Sequence, residues 1–231
     1  MSDQSPIPDR RDSPDFGLIE TLLWTRDGGF ELLAEHLARL AASSAALGFR
    51  HDPAKIDQAL SGAVSRFGDA DAAASPLPPR RLRVRLMLAR DGAIETSATP
   101  IEPAPPETVW RVALAKRRFD STDPLLRHKT TRRALYEDEL AEASKRDGAD
   151  EVLFLNERDE VSESARCNIF LPRDGGLLTP ALSCGLLPGT LRARLLAVGR
   201  ARETVLRLAD LAGEFRLGNS VRGLIRAKLL S

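Results

Sequence analysis

Three stretches decide how this chain reads: Leu125-Leu126-Arg127-His128-Lys129-Thr130-Thr131-Arg132-Arg133, then Asn156-Glu157-Arg158-Asp159-Glu160-Val161-Ser162-Glu163-Ser164-Ala165-Arg166-Cys167-Asn168-Ile169-Phe170, then Gly185-Leu186-Leu187-Pro188-Gly189-Thr190-Leu191-Arg192. The first offers a lysine, Lys129, with cations on both sides. The second offers a carboxylate, Glu163, between a polar turn and an apolar strand beginning at Asn168. The third offers a Pro-Gly helix start, whose free N–H groups and positive dipole end suit a phosphate. An amine that can attach an aldehyde, an acid that can hold a pyridine nitrogen protonated and an anion cradle are together what pyridoxal 5′-phosphate (PLP) requires. Taken alone, Lys129 would be one of 34 basic residues and Glu163 an ordinary surface acid. Their order with the third stretch carries the reading.

The three stretches resemble the class IV aminotransferases, the fold-type IV PLP enzymes, which include branched-chain aminotransferases, D-amino acid aminotransferases and 4-amino-4-deoxychorismate lyases. The family pattern N-x-x-G-x-V-x-E-x-small-x-x-N-I-F is similar to 156–170, except that Asp159 stands where the family has glycine. The pattern T-P-x-x-x-x-x-L-L-x-G-x-x-R is similar to 179–192, except that Leu191 stands where the family often has threonine. Gly17-Leu18-Ile19-Glu20-Thr21-Leu22 resembles the family's G-x-F-E-T strand, and His36-Leu37-Ala38-Arg39-Leu40 its H-x-x-R-L helix. The likeness runs over about residues 16–226. The usual extra first strand is missing, and Phe16 stands where the family tends to have arginine.

The resemblance implies a mixed α/β fold of two lobes: a smaller N-terminal lobe over 15–99, a linker over 100–107 and a PLP-binding C-terminal lobe over 108–231. It implies Lys129 as the residue that attaches PLP and acts as base, and Glu163 as the partner of the ring nitrogen. It implies Arg39, Thr190, Leu191 and Ser220 around the phosphate, with Leu191 lacking the usual hydroxyl. Arg118 and Arg166 are the arginines placed to take a substrate carboxylate. It also implies a homodimer. The short start and the His128-Lys129-Thr130-Thr131-Arg132 run look like the lyase half of bifunctional aminodeoxychorismate synthase/lyase proteins. They point to release of 4-aminobenzoate and pyruvate from 4-amino-4-deoxychorismate, with an aminotransferase acting on branched-chain or D-amino acids as the alternative.

Composition sets the frame. The chain has 231 residues, 42% hydrophobic, enough for a sizeable core. A net charge of +1 gives no case for a nucleic-acid or membrane partner. Cys167 and Cys184 are too few for a disulfide framework, and His36, His51 and His128 show no metal-ligand spacing. The first thirty residues hold no apolar signal core, and no apolar run approaches the roughly 20 residues of a membrane span. The expectation is a cytoplasmic, metal-free enzyme acting on a small molecule.

Along the chain, 1–14 read as a disordered polar tail and 17–24 as a strand. Helices are expected over 31–48 and 53–66, with Gly48 a stop and Asp52-Pro53 a start. Residues 70–79 form a loop, Leu82–Leu88 an alternating strand, and Pro100–Pro106, with four prolines, the linker. Beyond it the pattern predicts a strand over 109–114, a helix from about Lys129 to Arg146, and strands over 151–156, 168–172 and 176–179. A helix over 189–198, late strands over 202–206, 214–219 and 222–229, and a helical turn over 208–213 complete it. Tyr136 is expected to pack on its helix, Trp24 and Trp110 in a core or cleft wall, and both cysteines to be buried.

Overall fold

The computed structural model describes residues 16–70 and 80–230; the expected tail at 1–14 and nearly all of the expected loop at 70–79 lie outside them. The first half builds a four-stranded sheet in the order β2-β1-β3-β4, from β1 (Leu18–Thr25), β2 (Gly29–Phe30), β3 (Arg81–Leu88) and β4 (Ile94–Pro100). Strict alternation decides the faces of β3. Leu82, Val84, Leu86 and Leu88 are at most 1% exposed, while Arg83 and Arg85 point the other way. The buried row packs with Leu18, Leu22, Leu40, Phe49, Ile56 and Leu60 under helices α1 (Leu33–Leu47) and α2 (Pro53–Ala70). Gly48 ends α1 in the left-handed region at φ 70°, and the Asp52 carboxylate accepts from the N–H groups of Ala54 and Lys55 at the start of α2.

The second half builds an eight-stranded sheet in the order β10-β9-β8-β11-β12-β5-β6-β7. Its strands are β5 (Val109–Leu114), β6 (Glu151–Leu155), β7 (Val161–Ser164), β8 (Asn168–Arg173), β9 (Gly176–Pro180), β10 (Ala201–Thr204), β11 (Phe215–Asn219) and β12 (Gly223–Leu229). Helix α3 (Ala134–Asp147) is the crossover between the parallel strands β5 and β6. Helix α4 (Thr190–Ala197) lies between β9 and β10. The core of this half is centred on Val112, Leu153, Ile169, Phe215 and Leu217.

One expectation about the functional segments is corrected and one segment gains an unexpected strand. Lys129 is not on a helix, because α3 starts only at Ala134. Residues 129–131 run extended along β1 instead: Ile19 N–H donates to the Lys129 carbonyl at 2.8 Å and Thr131 N–H to the Gly17 carbonyl at 2.9 Å. Two adjacent β-branched threonines and the unpaired flank of β1 favour that pairing over a helical turn. Glu163, expected between a polar turn and the strand at Asn168, lies on a strand of its own, β7, of four buried residues, Val-Ser-Glu-Ser. Its polar composition hid it; the hydroxyls are satisfied internally, Ser164 Oγ by the Cys167 carbonyl at 3.1 Å and Ser162 Oγ by the Gly185 carbonyl. β4 is a further strand with no sequence expectation, polar on its outer positions and joined to β3 through a tight turn at Gly92, φ 90°.

The loop ahead of α4 is packed so closely that Gly189 has no room for a side chain. A Cβ there would lie 2.0 Å from Asn168 Oδ1, and Asn168 is itself held by its Nδ2 donating to the Leu187 carbonyl at 3.0 Å. Gly189→Ala is therefore expected to destabilise the fold by about 1–3 kcal/mol. A urea melt measures it; an unchanged midpoint would show that this approach is not a real constraint.

Candidate active site

The two sheets face each other across a cleft of about 870 Å³, and Lys129, Glu163, Arg39, Thr190 and Ser220 all line it. It is built from one end by a buried polar cluster. Glu20 of β1 is 3% exposed and His36 of α1 1% exposed. Glu20 Oε2 accepts from Arg39 Nη2 at 2.5 Å and contacts His36 Nδ1 at 2.6 Å, while Glu20 Oε1 accepts from Arg39 Nε at 2.9 Å. Burial by itself raises the Glu20 pKa; the Arg39 guanidinium and the two hydrogen-bonding partners outweigh it and hold the carboxyl below its ordinary value. Arg39 also donates to the Pro188 carbonyl at 3.3 Å, and His36 Nε2 meets Thr190 Oγ1 at 3.3 Å. With the His36 proton on Nδ1, the Thr190 hydroxyl donates to Nε2. The cluster fixes Arg39 against the start of α4.

Gly189 is the N-cap of α4 and offers no side-chain cap, so the first N–H groups of the helix are open to an anion. Leu191 does not face the cleft; its side chain belongs to the apolar cluster with Phe170 and Leu195, and only its backbone can serve an anion. Ser220 sits in the turn between β11 and β12 and donates to the Thr21 carbonyl at 3.2 Å, tying that turn to β1. Asn219 Oδ1 shapes the turn by accepting from the N–H groups of Val221 and Arg222 at 3.0 and 2.8 Å.

Lys129 and Glu163 both carry shifted pKa values. Burial, with the Arg133 and Arg39 cations adding to it, pushes the Lys129 amine down to about 8. Burial pushes the Glu163 carboxyl up to about 7, against donors from Tyr136 Oη at 3.0 Å and Leu187 N–H at 3.2 Å. Tyr136 does pack, its ring 5.3 Å from those of Phe119 and Phe154, with the Arg133 guanidinium 4.8 Å from its centroid. It also orients Glu163, a role the sequence reading did not assign. Burial and the neighbouring Glu163 charge push the Tyr136 phenol well above its usual value, so it stays a donor.

Arg118 and Arg166 reach the cleft already engaged. Arg118 pairs with Asp159 at 2.7 Å; Arg166 donates to buried Glu151 at 3.1 Å and to the Asp150 carbonyl at 2.9 Å. Arg83, Arg85 and Arg222, absent from the sequence reading, line the same cleft. Arg83 and Arg85 of β3 make no hydrogen bond or ion pair with any described residue. Burial and the Arg133 cation hold the Arg85 value down, outweighing the Glu137 carboxylate that acts against them. The alternation of β3 could have found Arg83 and Arg85, because every second residue must face away from the core.

The shifts predict how the cofactor-free protein responds to pH. Glu163 gains affinity for its proton on folding, so between the unfolded carboxyl value near 4.3 and about 7 the folded state binds more protons and stability falls as pH rises. Glu163→Gln should therefore stabilise the cofactor-free protein at pH 8, by on the order of 1–3 kcal/mol, and change little at pH 4.5. Lys129 loses affinity for its proton, so its buried charge opposes folding below about 8, and Lys129→Met should stabilise at pH 7. Urea melts at the two pH values test this; equal stability of Glu163→Gln and the parent at pH 8 would mean that Glu163 is not held in an apolar setting.

Comparisons with known proteins agree with this geometry. The family model for amino-transferase class IV matches residues 17–230. A Schizosaccharomyces pombe protein, named provisionally as an aminodeoxychorismate lyase, is 32% identical over 193 residues, 80% of this chain and 75% of that one. A crystal structure from Mesorhizobium loti, titled provisionally as an amino-acid aminotransferase, is 46% identical with a TM-score of 0.83, covering 94% of this chain and 100% of that one. The PLP-bound form of a hypothetical aminotransferase from Mycobacterium tuberculosis shares the fold at 23% identity and a TM-score of 0.78, over 99% of this chain and 87% of that one. This chain belongs to the class IV aminotransferases, a family of enzymes whose cofactor is pyridoxal phosphate.

Proposed function

We propose that the chain is a PLP-dependent lyase that converts 4-amino-4-deoxychorismate into 4-aminobenzoate and pyruvate. The observation that carries this is the pair of guanidiniums, Arg83 and Arg85, that line the Lys129 cleft with no hydrogen-bond or ion-pair partner among the described residues. That substrate carries two carboxylates, one on its ring and one on its enolpyruvyl arm, and guanidinium forks match carboxylates. The His128-Lys129-Thr130-Thr131 run and the similarity to the Schizosaccharomyces pombe protein support the same reading.

The residues present fit PLP. The uncapped start of α4, Thr190, Arg39 and Ser220 would hold its phosphate, with Glu20 and His36 keeping Arg39 in place. Glu163 would hold the proton on the pyridine nitrogen, oriented by Tyr136 and the Leu187 N–H. Bound there, the cofactor supplies an electron sink for the amine-bearing carbon of the substrate. Lys129 would attach the cofactor and act as base. A value near 8 leaves its amine partly neutral at physiological pH, so Nζ can take the proton from that carbon. As the carbon–oxygen bond to the enolpyruvyl arm breaks and the ring becomes aromatic, Nζ returns the proton to the departing arm, which leaves as pyruvate. Arg83 and Arg85, with Arg118 and Arg166 after exchange of their present partners, would hold the two carboxylates. We place the enzyme in the cytoplasm as a homodimer; among the described residues no helix is long and apolar enough to cross a membrane.

The second reading is an amino-acid aminotransferase, favoured by the likeness to the Mesorhizobium loti structure. In that case Arg83 and Arg85 would take the far carboxylate of a dicarboxylic substrate. Supplying PLP-loaded protein with 4-amino-4-deoxychorismate alone, and separately with amino acids plus 2-oxoglutarate, separates the two. The lyase forms 4-aminobenzoate and pyruvate in equal amounts with no keto acid present. Glutamate formation with no 4-aminobenzoate would transfer the assignment to the aminotransferase.

A further inference from the structure

Arg81, Arg83 and Arg85 occupy alternate positions on β3 and so share one face of the small sheet, at steps of about 6.7 Å. Arg83 and Arg85 open on the main cleft. Arg81, at the outer end of the row, opens on a second cavity of about 230 Å³, walled by the Pro103–Pro106 segment and by Arg216, Arg222 and Arg226. We propose that this cavity is a binding site for a small tetrahedral oxyanion, a free phosphate or the phosphate group of a metabolite.

Four guanidiniums, Arg81, Arg216, Arg222 and Arg226, line the cavity, and the nearby carboxylates are Glu102, which lines it, and Glu214, which faces Arg226 and Arg216. Arg216 and Arg226 are direct partners in the antiparallel register of β11 and β12, and like charges directly opposite each other destabilise a sheet. Glu214 engages Arg226 through hydrogen bonds of 2.8 and 2.6 Å. Arg222 donates to the Glu102 carbonyl at 3.4 Å. Arg216 makes no hydrogen bond to a described residue, and Arg81 Nε is shut off from solvent with no acceptor. An oxyanion between these forks would give their cavity-facing N–H groups an acceptor and offset the like-charge opposition of Arg216 and Arg226. Three prolines on the facing wall keep the cavity open in advance of binding. The volume is ample for a phosphate group.

The cavity also has a route to the cleft. Val221 and Arg222 line both, in the turn that carries Ser220. An anion on Arg222 would steady that turn from behind. The inference stands apart from the reaction assigned to the cleft, because none of Arg81, Arg216 and Arg226 lines it.

The test is thermal unfolding of PLP-saturated protein, in which the cleft's own phosphate position is filled, with sodium phosphate against sodium chloride at equal ionic strength. Phosphate at ten times its dissociation constant should raise the midpoint by about 3–6 °C over chloride. Arg216→Gln and Arg81→Gln should each abolish that difference. A parallel arm with glycerol 3-phosphate assigns the source: tighter binding than phosphate indicates a phosphorylated metabolite, weaker binding the free ion. No phosphate-specific shift, or a shift kept in full by both variants, overturns the proposal.

Discussion

Two backbone hydrogen bonds, Ile19 N–H to the Lys129 carbonyl and Thr131 N–H to the Gly17 carbonyl, join the connection ahead of α3 to the first strand of the other sheet. The rest of the site depends on that join. Lys129 is held extended between the two sheets, so its amine enters the cleft rather than solvent. Gly17 N–H adds a bond to Thr131 Oγ1 at 3.0 Å, and the Ser220 hydroxyl ties the far turn to the same strand through Thr21. β1 thus serves as a rail: one edge positions the lysine, its Glu20 anchors Arg39, and its Thr21 receives the turn carrying Ser220.

Electrostatics follows from the join. Groups enclosed between two sheets lose water, and the consequence depends on what replaces it. Glu20 has Arg39 and His36 and stays ionised in the interior. Glu163 has one phenol and one N–H, enough to orient it and too little to offset burial, so it rests near 7. Lys129 has cations for neighbours and falls to about 8. The two candidate reactive groups, Lys129 and Glu163, are therefore poised within reach of neutral pH, and Glu20 is not. Such poise opposes folding in the cofactor-free protein, as expected where a site stores function against stability.

Most of this was readable in the residues. The order of Lys129, Glu163 and the Pro188-Gly189-Thr190 start pointed to the fold and the cofactor, because an amine, a carboxylate and an anion cradle in sequence match the different parts of one molecule. What was hidden was hidden for physical reasons. β7 is a buried strand made of serines and a glutamate, so hydrophobicity could not reveal it, and only its internal hydrogen bonds explain it. The helix expected from Lys129 begins five residues later, because pairing with β1, a contact distant in sequence, overrides local helical spacing. Tyr136 was read as packing alone because its bond to Glu163 spans 27 positions. Arg83 and Arg85 lay in plain view in an alternating strand, but which lobe their face meets is a tertiary fact.

The central claim is that the cleft between the sheets seats PLP with Lys129 as its attachment point. The most direct measurement is borohydride reduction of the PLP-loaded protein, followed by peptide mapping of the residue that carries the fixed label. The account predicts one pyridoxyl group per chain, on Lys129, and no stable incorporation in Lys129→Met. A label on another lysine, or full incorporation in Lys129→Met, would contradict it.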